Sequence, residues 1–179
     1  FSGFDVAIIG AGAAGITLAL KLTSYGKKVA LIEAGGLAYS EEAQELYRAT
    51  TEGDPYFDLG VCRLRYFGGT ANHWAVCCRT VEPEDFNRGY WGNEYSWQIE
   101  FEDLDSYRVE ACEILEISSE FNDKNSFDSE IESVEFNISP PVRFGGKYFD
   151  ALVSNPLVHI FLNSNLVDVT YSGKRVTSV

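Results

Sequence analysis

The first part of the chain alternates between short apolar runs and glycine-rich turns. Residues 6–9 and 28–33 each contain an apolar run of the length that a buried parallel strand takes. Between them, residues 13–22 are rich in Ile, Leu and Ala, which suits a helix that packs on a sheet. Gly26 is placed to cap that helix at its C-terminus. The pattern predicts a strand, a helix and a second strand, the opening of an α/β fold.

Beyond residue 40 the apolar pattern is weaker and predicts shorter elements. Further helices are expected at residues 41–49, 102–117 and 147–153. Further strands are expected at residues 158–162, 167–171 and 176–179. Ser172 and Gly173 form the predicted turn between the last two strands, and the polar stretch 118–133 is expected to be a loop.

Composition is that of a soluble globular protein with a marked excess of acid. Of the 179 residues, 14 are Lys or Arg and 27 are Asp or Glu, which gives a formal net charge of -13. Nucleic-acid binding is not expected, because phosphate contacts need clustered cations. The uncharged stretches 6–20 and 151–167 are too short or too broken by polar residues to span a bilayer, so no transmembrane segment is expected.

The chain contains no Met and four Cys. The missing Met leads us to expect a trimmed chain or a fragment. Because no signal peptide is visible, the compartment stays open between the cytoplasm and export after signal removal. Cys62, Cys77, Cys78 and Cys112 fit no zinc spacing and make a poor disulfide framework, so we expect reduced thiols and no metal site.

The turn after the first predicted strand carries Gly10, Gly12 and Gly15 in the spacing Gly-x-Gly-x-x-Gly. In this pattern the first glycine permits a tight turn and the second lets the backbone approach a pyrophosphate. The third lets the helix pack close to the strand. The N–H groups of the first helical turn, which begins at Ala13 and Ala14, are expected to face the phosphates.

Glu33 ends the second predicted strand, where it is placed to accept hydrogen bonds from ribose hydroxyls, with Ala34 beside it. An acid at this position disfavours a 2′-phosphate, so NADP is not expected. The fingerprint predicts dinucleotide binding, because it follows a strand, opens a helix and has an acid at the right distance. It does not choose between FAD and NAD, and a glycine-rich turn in an ordinary α/β core is the simpler alternative.

Residues 63–74 form a second informative stretch, with two Arg, a Gly pair and several polar side chains. The glycines let the backbone approach a neighbour closely. Thr70, Asn72 and His73 supply hydrogen-bonding groups, and Trp74 supplies a flat apolar face.

Together these residues resemble the glucose–methanol–choline (GMC) oxidoreductases, most closely the branch with pyranose oxidase and the membrane-associated sugar and polyol dehydrogenases. The resemblance rests on the glycine fingerprint with Glu33 and on residues 65–74, Arg79, 83–86, 95–104 and 140–145. It implies FAD rather than NAD, because ordinary NAD-binding Rossmann domains lack the Gly-Gly-Thr-x-Asn-His-Trp stretch.

The resemblance also implies roles for individual residues. The three glycines of the fingerprint would hold the FAD pyrophosphate, and Glu33 would bind the adenosine ribose. Residues 68–74 would line the flavin ring, and the backbone at Val167 would pair with adenine. His73 stands where some members attach the flavin covalently, while others use a histidine there without a bond. The expected cofactor-binding residues are Gly10, Gly12, Ala13, Ala14, Gly15, Glu33, Ala34, Arg65, Gly68, Gly69, Thr70, Asn72, His73, Trp74 and Val167.

For the function, the resemblance implies oxidation of a CH–OH group of an alcohol, sugar or polyol, with hydride transfer to FAD. Electrons would pass on to oxygen, a quinone or another acceptor. The family's catalytic histidine lies far downstream of this region, so no catalytic residue is expected in the chain. A flavin-binding fragment without turnover and an NAD-dependent Rossmann dehydrogenase are the alternatives.

The expected fold class is α/β, with an incomplete Rossmann-like FAD-binding domain and the start of a substrate or cap region. Residues 1–95 are expected to form the N-terminal part of the FAD-binding domain. Residues 96–140 are expected to be a helical insertion that leads to the substrate or cap region. Residues 141–179 are expected to supply strands that return to the FAD-binding domain.

Overall fold

The computed structural model describes residues 3–86, 96–121, 123–126 and 132–179. The chain divides into two compact units. The first unit consists of Phe1–Trp74 and Arg143–Val179, and the second unit of Ala75–Val142. The units therefore change after residues 74 and 142, whereas the sequence-based boundaries lie after residues 95 and 140.

The regular elements of the described residues are short. The helices are α1 (Ala13–Ser24), α2 (Glu41–Glu45), α3 (Leu59–Cys62), α4 (Pro83–Phe86), α5 (Phe101–Asp105), α6 (Arg108–Leu115) and α7 (Phe144–Val153). The strands are β1 (Val6–Ile9), β2 (Val29–Ile32), β3 (Cys77–Cys78), β4 (Asp123–Ser126), β5 (Glu132–Val134), β6 (Asn137–Ile138), β7 (Val158–Phe161), β8 (Thr170–Ser172) and β9 (Arg175–Ser178). A 3-10 turn covers Gly69–Asn72.

A three-stranded parallel sheet in the order β1-β2-β7 forms the centre of the first unit. All four residues of β2 are buried, as expected of a central strand that is covered on both faces. Helix α1 contacts β1, β2 and α7, and its Ile16 and Ala19 are fully buried, as is Leu152 of α7. This mixed α/β arrangement confirms the predicted fold class, a partial Rossmann-like FAD-binding domain.

The second unit is held by small local elements. Strand β3 pairs with β6 in antiparallel orientation, and β4 pairs with β5. Ser139, which is 1% exposed, donates from its backbone N to the Val76 oxygen (2.9 Å) and from its Oγ to the Leu115 oxygen (2.6 Å). The ring of Phe86 lies 6.1 Å from that of Trp97 and 6.0 Å from that of Phe101. The described residues include no helix that is long and apolar enough to cross a membrane.

Several sequence-based element predictions were wrong where the apolar pattern is weak. Residues 118–133 were expected to be a loop, but in the described part of this stretch β4 pairs with β5 in antiparallel orientation, since strands pair through main-chain groups and need no apolar alternation. Residues 122 and 127–131 lie outside the described residues. The single helix expected over 102–117 is divided into α5 and α6. Helix α5 has its own capping box of Glu100 and Asp103, and it ends before Ser106.

Other differences concern where elements begin and end. Helix α2 ends at Glu45 rather than at residue 49, and α7 begins at Phe144 rather than at residue 147. Strand β8 begins at Thr170, so Val167 lies before it rather than within it. Helix α3 and strand β3 were not anticipated. Tyr95, which belongs to the segment 95–104 of the family resemblance, lies outside the described residues.

Candidate functional site

The turn between β1 and α1 is built on its glycines. Gly10 has a φ of +96°, a conformation that favours glycine. A Cβ added at Gly15 would lie 1.9 Å from the Gly10 carbonyl oxygen, so α1 can approach the turn only with glycine there. At Gly12 an added Cβ would meet no heavy atom of the described chain within 4 Å. The chain itself therefore requires glycine at Gly15, while the space beside Gly12 is left for something else.

The N-terminus of α1 offers free donors at this turn. Its first helical hydrogen bond runs from the Ile16 N–H to the Gly12 oxygen (2.9 Å), which leaves the N–H groups of Ala13, Ala14 and Gly15 outside the helical ladder. The first helical turn contains no acidic residue. The positive end of the helix dipole is therefore available to an anion.

Glu33 is buried (6% exposed) and connects two turns of the first unit. Its Oε2 accepts a hydrogen bond from the Ala11 N–H (2.8 Å), and its Oε1 accepts one from the Gly35 N–H (2.9 Å). Because a carboxylate has about four acceptor positions, two remain for a ligand. The carboxylate thus fixes the glycine turn and keeps acceptor capacity next to it.

The glycine pair of the second stretch packs directly on the first. Gly68, with φ of +96°, donates its N–H to the Ala11 oxygen (2.8 Å). A Cβ added at Gly69 would lie 3.2 Å from the Gly12 Cα. The two glycine stretches, far apart in sequence, therefore form one backbone surface.

A cavity of about 440 Å³ lies in the first unit over this surface, and we call it the glycine-loop cavity. Seven of the residues predicted from the sequence line it, namely Gly10, Gly12, Glu33, Ala34, Arg65, Gly69 and Thr70. Tyr47, Arg63, Asn165 and Leu166 also line it. The cavity therefore combines open main chain, one carboxylate and two guanidinium groups.

Arg65 has three partners, and one of its buried donors has none among the described residues. Its Cζ lies 5.2 Å from the centre of the Tyr47 ring, one terminal nitrogen donates to the Asn165 Oδ1, and its backbone N–H donates to the Gln44 Oε1 (3.1 Å). Its Nε is buried and has no hydrogen-bond partner among the residues described. An unsatisfied buried donor costs about 1–3 kcal/mol. An acceptor from water or from a ligand would remove this cost, and the phosphate oxygen of a cofactor is one acceptor that fits.

Five other predicted residues lie in or near the same turns but do not line the glycine-loop cavity. Ala13, Ala14, Gly15 and Gly68 belong to the turns beside it but do not line it. Asn72 donates from its Nδ2 to the Phe67 oxygen (2.9 Å) and lines a separate cavity of the first unit, of about 480 Å³.

The last three predicted residues also line neither of these cavities. His73 is exposed, and the Trp74 oxygen accepts a hydrogen bond from Arg143 (3.4 Å). Val167 is 93% exposed, although its neighbour Leu166 lines the glycine-loop cavity.

Besides Gln44, sequence reasoning missed two residues that hold Arg65, namely Tyr47 and Asn165. Neither lies in a recognisable motif, and Asn165 is 100 positions from Arg65 in the sequence. Arg63 belongs to the stretch 63–74. It is exposed and lines the cavity, a position that the sequence did not indicate.

A sequence model of one protein family matches this chain. The family is described as FAD dependent oxidoreductase (DAO), and the match covers residues 5–103, more than half of the 179 residues. The matched region includes the glycine fingerprint, Glu33 and the whole stretch 63–74. No curated protein matches the chain.

Proposed function

Because the chain belongs to the FAD dependent oxidoreductase family, we propose that it forms the FAD-binding part of a GMC-type enzyme. FAD as cofactor is confirmed by that family, and NAD has no comparable support. The proposed reaction is oxidation of a CH–OH group of an alcohol, sugar or polyol, with an electron acceptor as second substrate. Residues 96–140 would begin the substrate or cap region.

The close packing of the two glycine stretches is the observation that carries the proposal. Gly68 donates to the Ala11 oxygen, and a Cβ at Gly69 would make a tight contact of 3.2 Å with the Gly12 Cα. The Gly-Gly-Thr-x-Asn-His-Trp stretch is the part of the sequence that most specifically resembles the GMC enzymes. Its position on the dinucleotide turn supports a single cofactor that spans both.

When bound, FAD supplies the two-electron acceptor for the oxidation. In this proposal the turn at Gly12 and the first-turn N–H groups of α1 bind the pyrophosphate. The guanidinium of Arg65 donates to an anionic oxygen, and the remaining lone pairs of Glu33 accept from ribose hydroxyls. The proposal assigns no general base to this chain.

The remaining assignments of the proposal concern the flavin ring and adenine. Residues 68–74 would line the flavin ring, and the backbone at Val167 would pair with adenine. A covalent bond from His73 to the flavin is one form of the proposal. In that form flavin fluorescence stays with the polypeptide after denaturation, and complete release of FAD would exclude it.

Gly12→Ala tests the proposed pyrophosphate contact, and Gly146→Ala is its matched control. At either glycine an added Cβ has no heavy atom within 4 Å in the part of the chain that is described, and neither φ is positive. Both variants should therefore keep the thermal stability of the protein. Because a Cβ at Gly12 fills the space proposed for the pyrophosphate, Gly12→Ala should weaken FAD binding by about tenfold or more, followed by visible flavin absorbance. Equal FAD affinity in the two variants would contradict the proposed site.

The substrate class is tested on the flavin-loaded protein. Anaerobic addition of an alcohol, sugar or polyol should bleach the flavin absorbance as the cofactor is reduced. Tight FAD binding without bleaching by any of these compounds would instead favour a flavin-binding module without turnover.

A further inference from the structure

Gln44 is a buried amide that joins α2 to the segment carrying Arg63 and Arg65. It is 6% exposed. Its Nε2 donates to the Gly60 oxygen (2.8 Å) and to the Arg63 oxygen (2.5 Å), and its Oε1 accepts from the Arg65 N–H (3.1 Å). Three hydrogen bonds from one side chain thus fix the backbone of residues 60–65.

This backbone sets where the Arg65 guanidinium lies. Gln44 holds the carbonyl of Arg63 and the N–H of Arg65, on either side of Leu64. The N–H of Leu64 itself donates to the Thr70 Oγ1 (3.2 Å), which ties the segment to the glycine-pair stretch. A shift of this short segment would move both arginines of the glycine-loop cavity together.

The ring beneath the guanidinium lies close to Gln44 along the chain. Tyr47, on which Arg65 stacks, follows α2 and donates its N–H to the main-chain oxygen of Gln44 (2.9 Å). The Gln44 side chain therefore fixes the backbone of Arg65, while Tyr47 is tied to Gln44 only through the main chain. Arg65 lines the cavity, and its Nε is a buried donor without a partner among the described residues.

We infer that Gln44, which does not itself line the cavity, is a positioning residue for the ADP moiety of FAD. Its amide orders the backbone that places the Arg65 guanidinium beside an anionic oxygen of the diphosphate. The inference rests on the proposed function, since it assumes that FAD occupies the glycine-loop cavity. It adds that affinity for the diphosphate is set partly by a side chain outside the cavity.

The experiment measures ADP and FAD binding by titration calorimetry for Gln44→Ala, Arg65→Ala and the double variant. Asn155→Ala is the matched control, because Asn155 is also an amide of the first unit with hydrogen bonds through both side-chain atoms. Its Nδ2 donates to the Thr23 Oγ1 (3.0 Å), and its Oδ1 accepts from the Leu157 N–H (2.9 Å). All titrations are made well below the lowest melting temperature of the set, so that a loss of stability alone does not lower affinity.

We expect Gln44→Ala to weaken both ADP and FAD binding by about tenfold, the loss expected when a charge-assisted hydrogen bond is misaligned. Asn155→Ala should change neither affinity. In the Arg65→Ala background, Gln44→Ala should add less than about twofold, because both changes remove the same contact.

Three results would overturn the inference, and only the third would also overturn the proposed FAD site. If Gln44→Ala matches Asn155→Ala in ADP affinity, Gln44 has only a structural role. If the losses from Gln44→Ala and Arg65→Ala multiply in the double variant, Gln44 does not act through Arg65. In both cases the proposed FAD site stands, provided that Gly12→Ala still weakens FAD binding. If the unaltered protein binds neither FAD nor ADP, the proposed site fails and the inference fails with it.

Discussion

The two units of this chain enclose cavities of different construction. The glycine-loop cavity of the first unit is lined by open main chain, a carboxylate and arginines. The cavity of the second unit, of about 280 Å³, is lined mainly by apolar side chains of α5, α6 and the segment after β3, with Cys78 and Cys112 among them. A site built on main chain needs glycine at fixed spacings, so it can be read from sequence. A cavity built from dispersed apolar side chains needs no fixed spacing and leaves no motif.

The largest expected effect on stability comes from adding one methyl group to the glycine turn of the first unit. In Gly15→Ala the new Cβ would lie 1.9 Å from the Gly10 oxygen, which is backbone and cannot rotate away. Helix α1 would have to move off the sheet, so we expect a loss of about 3 kcal/mol in the free energy of unfolding, measured by urea titration.

Gly146→Ala is the control for the same chemical change, since its Cβ has open space in the described structure and lies within α7. It should be neutral or should stabilise by up to about 1 kcal/mol, because alanine is the better helix former. Equal stability of the two variants would show that α1 has room for a side chain at Gly15, contrary to the geometry of the turn.

The next effect concerns Glu33, whose carboxylate accepts from two backbone N–H groups. Gln in its place has only one accepting oxygen, so either Ala11 or Gly35 loses its partner. Glu33→Gln should lower the free energy of unfolding of the FAD-free protein by about 1.5–3 kcal/mol. It should also weaken FAD binding. The measurement is thermal or urea unfolding of the FAD-free and FAD-loaded protein.

Glu82→Gln in the second unit is the matched change. Glu82 pairs with Arg79 near the surface and is more than a third exposed, so its loss should cost less than about 1 kcal/mol. If Glu33→Gln weakens FAD binding but leaves the FAD-free stability unchanged, Glu33 acts only on the ribose, and its contacts within the turn are dispensable.

The smallest effect on stability is expected for the thiols of the second unit. Cys77 is exposed, while Cys78 and Cys112 are buried. Burial raises the pKa of the Cys78 thiol, and the neighbouring Cys77 raises it further. Burial also raises the pKa of the Cys112 thiol, against the opposing effect of Arg108. Near the ordinary thiol pKa of about 8.5, iodoacetamide should therefore modify Cys77 well before either buried cysteine, as followed by peptide mass spectrometry.

The pH dependence of stability follows from the same two thiols. Because their pKa values are higher in the folded than in the unfolded chain, their contribution to stability is fully present below the unfolded thiol pKa. It is lost as the pH rises through the folded values, so the free energy of unfolding should decline on the alkaline side.

The alkylation experiment has its own contradicting outcome. Equal alkylation rates for Cys77, Cys78 and Cys112 would contradict the burial of Cys78 and Cys112.

The sequence predicted what is determined locally. The predictions of β1, β2 and a steric need for glycine at Gly15 were correct, because each depends on neighbours in the same strand-turn-helix segment. The buried position of Glu33 and its contacts with Ala11 and Gly35 were not predicted, since they depend on how two turns meet in space. Asn165 was missed for the same reason.

The second unit shows a different limit. The antiparallel pair of β4 and β5 lies where a loop was expected, because main-chain pairing in a polar segment leaves no apolar alternation to read. The division of one expected helix into α5 and α6 depends on a local cap at Glu100 and Asp103, which outweighs a nearly continuous apolar periodicity.

Gly68 and Gly145 restrict each other from distant parts of the chain. A Cβ at Gly68 would lie 2.8 Å from the Gly145 nitrogen, and a Cβ at Gly145 would lie 2.6 Å from the Phe67 oxygen. Neither position accepts a larger residue while the other backbone stays in place. In directed evolution, a single substitution at Gly68 or at Gly145 would therefore require a shift of the facing backbone at the junction of α7 with the 3-10 turn. Libraries aimed at this protein should keep both glycines fixed and place diversity at exposed positions such as Tyr39 and Phe57.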